Sequence, residues 1–502
     1  MASLAGARQG ATSFLFSDTD DIVPIPTSRF SYTQTARLLI VLSLLMLVPV
    51  IFFNYLYPLS PARIERPATA LMQDLGLWRW VAERQPGALS NPDSLAALIV
   101  LGSVIAFAAY GLAIWLVWKK AATRMLLAIA MGGSLVFMLL SLWSLPNFNT
   151  DIYDHILRAR TVSEYGENPY TVEPAEFPQD PVFPYASPKF IYLTTDTLPT
   201  WTLVSAAGAE VAGDDATTNL LAARGLITVF NLGNVVLIML ILQRWNPLYA
   251  VAGAIAYGWN PVNIILTQGK PDPVMVFFLL LAVLMLTMKR YRWMVVFLAI
   301  ATVTKLIPLP LAGIYFLREL KARRWKEFFI SGVLFALVVV ALYLPFVNTL
   351  DVAQDQLGLL RRGGSGLPSG IRYIFAAGFA VTALYLGLRH ADDDRQMLWS
   401  WALAMLFFAL FLTKIVNSWY HLTFIAIAAV AIRWPMILMM LAITWSSFLL
   451  NMWRAASTPE FTLPSPEIPR LVMYLTLPVL ALLLSAALFA IRTRRAAHPR
   501  NA

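Results

Sequence analysis

Apolar runs long enough to cross a bilayer recur along this chain, separated by short polar breaks. They fall at about 37–57, 96–118, 124–145, 224–243, 247–267, 273–288, 329–347, 372–388, 397–416, 420–433, 435–453 and 471–491. Sustained apolarity over such lengths predicts an all-α polytopic membrane protein of about 12–14 transmembrane helices. The stretch 294–317 is apolar too, but Lys305 and Pro308 interrupt it. Basic clusters flank it on both sides, so it is expected to enter and return, as two short spans or a re-entrant hairpin. Its tip carries Lys305 to the far side.

Charge orients the spans. Lys119, Lys120 and Arg124, Arg244, Lys289, Arg290 and Arg292, the run Arg318, Lys321, Arg323, Arg324 and Lys326, Arg389, and the tail Arg492, Arg494, Arg495 and Arg500 all mark the cytoplasmic side. The loops 146–200, 267–273, 348–372, 416–420 and 454–470 then face outward. Residues 1–35, polar and rich in Ser and Thr, read as a disordered cytoplasmic tail. Residues 36–491 read as one transmembrane unit, and 492–502 as a basic cytoplasmic tail. Only 13% of residues are charged, and the mean hydropathy is +0.66. Soluble domains carry about 25% charged residues, so the membrane reading stands. The net charge of +10 sits mostly in short loops and the C-terminus, where it sets topology rather than binding nucleic acid. The absence of cysteine excludes thiol chemistry and Cys-ligated metals, and four scattered histidines argue against a His-cluster metal site.

Chemistry concentrates in the outer loops. Asp151, Asp154, His155 and Arg158 are spaced i, i+3, i+4 and i+7, so a helix over 151–165 places them on one face. Ile152, Ile156, Ala159 and Val162 form its apolar side. This describes an interfacial helix, whose polar face is either a reactive site or a set of solvated charges. Asn168-Pro169 follows, then a stretch stiffened by Pro178, Pro181, Pro184 and Pro188. Gln268-Gly269-Lys270-Pro271-Asp272-Pro273 follows a helix end and by composition is an ordinary loop. Arg361-Arg362-Gly363-Gly364 suits either phosphate binding or a flexible linker. Asn417-Ser418-Trp419-Tyr420-His421 joins two spans, where Trp419 suits an interface anchor and His421 a head-group contact.

Together these motifs resemble the GT-C class of glycosyltransferases, and within it the bacterial polyprenol-phosphate-mannose-dependent mannosyltransferases. The resemblance runs through Thr150-Asp151-Ile152-Tyr153, Gly166-Glu167-Asn168-Pro169-Tyr170, Trp259-Asn260-Pro261, Gly269-Lys270-Pro271-Asp272, Lys305-Leu306-Ile307-Pro308 and Trp419-Tyr420, over residues 146–425. It implies an extracytoplasmic site in the bacterial inner membrane, a catalytic loop 146–200, a polyprenyl-phosphate sugar donor, and a lipid or glycan acceptor. Asp151 is then the catalytic base, and Asp154 its acidic neighbour or a metal or acceptor contact.

The expected reaction is inverting transfer of a hexose, mannose by the resemblance. A carboxylate takes the acceptor proton, while cations stabilise the leaving phosphate. Lys270, Lys305, Arg361, Arg362, Arg372 and His421 are the candidate cations. His155, Arg158, Asn168, Tyr170, Asp272 and Tyr420 complete the expected substrate contacts. Asp151 and Asp154 offer two oxygen ligands to Mg or Mn, and two do not complete a site. The alternative is a membrane transporter or lipid flippase, because broken helices and an intramembrane Lys305 also characterise such proteins.

Overall fold

The structure is a computed structural model that describes residues 30–60, 87–144, 151–188, 190–195, 197–347, 369–412 and 417–456. Among these it is all helix, without a strand, as a polytopic membrane protein requires. The helices are α1 (Tyr32–Ile51), α2 (Pro92–Leu116), α3 (Arg124–Leu142), α4 (Asp151–Ser163), α5 (Pro199–Ala212), α6 (Ala216–Trp245), α7 (Ala250–Gly258) and α8 (Pro261–Leu266). They continue as α9 (Asp272–Thr287), α10 (Tyr291–Thr304), α11 (Leu309–Lys321), α12 (Trp325–Tyr343), α13 (Ser369–Arg389), α14 (Asp394–Phe407), α15 (Leu422–Val430) and α16 (Trp434–Ala456). Six of them (α1, α2, α3, α6, α12 and α16) are long and apolar enough to cross a membrane. Shorter apolar helices lie at Asp272–Thr287, Tyr291–Thr304, Ala376–Arg389 and Ser418–Val430. The expected span 471–491 and both tails lie outside the described residues.

Two apolar runs are divided among the described residues: 247–267, expected as a single span, and 294–317, expected as a broken pair. The run 247–267 is not one helix. Asn260 caps α8 by accepting from the Val262 N–H at 3.0 Å, and Pro261 cannot continue α7. The run 294–317 divides at Lys305–Pro308 into α10 and α11, of 14 and 13 residues. At 1.5 Å per residue each reaches only about 20 Å, short of a hydrocarbon core of about 30 Å.

Lys305, in the second break, bonds Asp272 at the start of α9, so α9 starts where α10 ends. The turns bearing Lys289–Arg290 and Arg323–Arg324 lie at the far ends of α9, α10 and α11. Close packing fixes the arrangement. Trp259 is fully buried and donates its indole N–H to the Ala130 carbonyl at 3.0 Å. Gly133 leaves the room that this ring fills. Along α6, Arg224, Thr228, Asn231 and Asn234 form a buried polar stripe at helical spacing. Arg224 caps α3 by donating to the Leu142 carbonyl at 3.0 Å and to that of Ser144. Asn234 donates to the Tyr257 hydroxyl at 2.8 Å and the Pro273 carbonyl at 3.0 Å, and Tyr257 donates to Asn231 at 2.8 Å. The stripe thus holds the start of α9 in place.

Candidate active site at the broken helices

Four chain segments converge where the helices break. Asp151 opens α4, and Lys270 stands in the turn between α8 and α9, 119 residues later. The Lys270 ammonium donates to the Asp151 carboxylate. It also sits over the Trp419 ring, 4.2 Å from its centroid. Beside this pair, Lys305 donates to both oxygens of Asp272, at 2.8 and 3.0 Å, and sits 4.1 Å from the Tyr420 ring centroid. The result is two ammonium groups, each held by one carboxylate and one aromatic face.

Local structure explains each placement. Asp151 and Asp272 both lie in the first turn of a helix, where the helix dipole favours a carboxylate. Lys270 is presented by a turn closed by its own N–H on the Thr267 carbonyl at 3.1 Å. Lys305 is the extended residue that ends α10. Trp419 and Tyr420 sit on the short helical turn Ser418–His421 that leads into α15.

The electrostatics differ between the two acids of α4. Burial raises the Asp151 carboxyl, but Lys270, with His155 and Arg158, more than reverses this and holds it below the usual range. Burial pulls the Lys270 ammonium down, against the opposing pull of Asp151. Asp151 remains half-exposed, within reach of an incoming molecule. Asp154 is buried. Burial pushes its carboxyl up to about 7, against the Ser187 N–H and Arg158. One of its oxygens accepts from the Ser187 N–H at 3.1 Å, and the other has no hydrogen-bond partner among the described residues.

The polar face of α4 is therefore not a set of solvated charges. The outer loop folds over it, and Arg158 donates to the Leu193 carbonyl at 3.4 Å. Arg160, which sequence reasoning missed, anchors that loop. Its guanidinium, 2% exposed, pairs with buried Asp180 at 2.7 Å and with Asp214 at 3.0 Å. Tyr165 donates to the same Asp180 oxygen at 3.0 Å. The buried stripe on α6 was missed as well, although polar residues at helical spacing within an apolar span were a legible signal.

The remaining predicted residues fall elsewhere. His155 packs edge-on against Trp201, with ring centroids 5.8 Å apart, and lines a shallow apolar crevice between α4, α5 and α6. Asn168 and Tyr170 are framework rather than site. Asn168 donates to the Phe346 carbonyl at 2.9 Å, and the Tyr170 hydroxyl donates to the Thr197 carbonyl at 3.0 Å. His421 is fully buried and offers no surface to a head group. Arg361, Arg362 and the side chain of Arg372 lie outside what the structure describes. No group of three or more His, Asp or Glu side chains among the described residues is placed to hold a metal ion.

The chain matches no protein-family model, no curated protein and no solved structure.

Proposed function

We propose that the protein is an inverting GT-C-type glycosyltransferase that moves a hexose, mannose in the first instance, from a polyprenyl-phosphate donor to a lipid or glycan acceptor on the outer face of a bacterial inner membrane. One observation carries this reading. Four short motifs, weak when taken singly, meet as a half-exposed carboxylate beside two lysines on two aromatic rings. The resemblance noted in the sequence supplies the substrate class.

The chemistry follows from the charges. Lys270, Lys305, Asp151 and Asp272 together carry no net charge, so an arriving phosphate must compete for the lysines. Asp272 is fully buried against Lys305, whereas Asp151 faces solvent and gives up Lys270 more easily. Donor phosphate on Lys270 frees Asp151, and its basicity rises where the acceptor hydroxyl arrives. The acceptor oxygen attacks C1, and the C1–O bond to phosphate breaks with its electron pair on the phosphate. Lys270 and Lys305 stabilise that charge. Trp419 and Tyr420 hold the two ammonium groups side by side in both states.

The test uses proteoliposomes given a radiolabelled polyprenyl-phosphate hexose and a glycolipid acceptor. Transfer predicts a labelled glycoside and free polyprenyl phosphate. Movement of the intact labelled lipid between leaflets, with no new glycoside from mannose, glucose or arabinose donors, instead establishes the transporter or flippase alternative.

A further inference from the structure

We infer that Asp154 is a second catalytic carboxylate, the group that holds the acceptor's proton once Asp151 has taken it. This rests on the transferase reading above. It is carried by geometry: Asp154 lies one helical turn from Asp151 on the same face of α4, enclosed by the outer loop, with one oxygen bonded to the Ser187 N–H and the other without a hydrogen-bond partner among the described residues.

A buried carboxylate oxygen without a partner is costly when charged, and it asks for a reason. A proton supplies one, because the neutral acid has far less to lose by burial. The groups around Asp154 define how it responds. From its own helix these are Asp151 and Arg158; from the α8–α9 turn, Lys270; from the outer loop, the Ser187 N–H. Arg158 and Lys270 favour the charged form, Asp151 opposes it, and burial outweighs the two cations. Asp151 is the opposite case, held ionised by Lys270. The helix therefore carries an exposed acid that sheds a proton readily and an enclosed one that binds it more tightly, releasing it as pH rises through about 7.

The step balances. The acceptor O–H loses its proton to Asp151 as oxygen bonds to C1, and the C1–O bond breaks toward the phosphate. When polyprenyl phosphate departs and Lys270 returns to Asp151, the proton passes to Asp154 and leaves to bulk water before the next turnover. An Asp154 that is already protonated cannot accept it. Turnover therefore falls as pH drops through about 7.

The experiment compares the intact protein with Asp154→Asn in liposomes, with two readouts. The first is the pH profile of transfer. The intact protein should lose activity below neutral pH. Asp154→Asn should be slower by a factor of about 10² or more, with its acid limb moved toward the lower range of Asp151. The second needs no turnover: infrared difference spectra should show a protonated-carboxyl band that disappears as pH rises through neutrality and is missing in Asp154→Asn. A merely structural role would lower the yield of folded protein without moving the acid limb. Transfer by Asp154→Asn with an unchanged profile, or an infrared band unchanged by the substitution, overturns the relay and leaves the transferase reading standing. Intact protein that transfers from no donor overturns both.

Discussion

At the scale of single residues, Asp154 makes a prediction about stability as well as rate. Its carboxyl is neutral in the folded protein up to about 7 but ionises near the ordinary Asp value when unfolded. The folded state therefore binds the extra proton between those limits, and stability falls as pH rises through that window. Asp154→Asn has no such dependence. Its melting temperature relative to the intact protein should climb from about pH 4 to about pH 7 and stay level above. A gap that does not change with pH contradicts the buried, neutral acid. Lys305 predicts the opposite effect. Lys305→Met leaves fully buried Asp272 without its cation and should cost about 3–5 kcal/mol. Adding Asp272→Asn should restore most of that stability while transfer stays lost, which thermal melting and the transfer assay separate. The spacing of Asp151, Asp154, His155 and Arg158 was legible in the sequence. What the sequence did not carry was the cover. Helical period says which residues share a face, and Arg160 reaching Asp180 decides whether that face is wet.

Among the elements, the breaks matter more than the spans. The Asn260-Pro261 and Lys305–Pro308 interruptions turn two predicted hydrophobic runs into paired short helices; Lys305 stands in the second, and the short α8 of the first leads into the turn that carries Lys270. The second break was legible because a lysine and a proline stood in an apolar run between two basic clusters. The first was not, because 247–267 is apolar throughout except for Asn260, Asn263 and Thr267, and hydropathy alone does not register a cap. Packing of α7 against α3 holds that break in place. A Cβ at Gly133 would lie 2.7 Å from the Trp259 indole, which its hydrogen bond to Ala130 prevents from moving aside. Gly133→Ala should therefore cost about 1–3 kcal/mol. Thermal unfolding in detergent reads this directly, and an unshifted melting temperature would show that Trp259 is not fixed.

For the molecule as a whole, the arrangement separates two chemistries along the bundle axis. One end carries the Asp151–Lys270 and Asp272–Lys305 cluster, and the other the basic turns. If basic turns mark the cytoplasm, the site faces outward, where no nucleotide sugar is present and a lipid-linked donor is the available source. The chain has no cysteine, so single introduced thiols report sidedness cleanly. Val211→Cys, exposed in the last turn of α5 at the site end, should be labelled from outside by a membrane-impermeant reagent, and Lys289→Cys only after the membrane is opened. The reverse pattern would place the site inside and remove the argument for a lipid donor. The central claim rests on the Asp151 carboxylate, and one measurement tests it most directly: transfer of label from polyprenyl-phosphate mannose to glycolipid by the intact protein and by Asp151→Asn, at matched amounts of folded protein. Labelled product from the intact protein with a loss of about 10²-fold or more in Asp151→Asn is the predicted result. Equal transfer by the two would contradict the account.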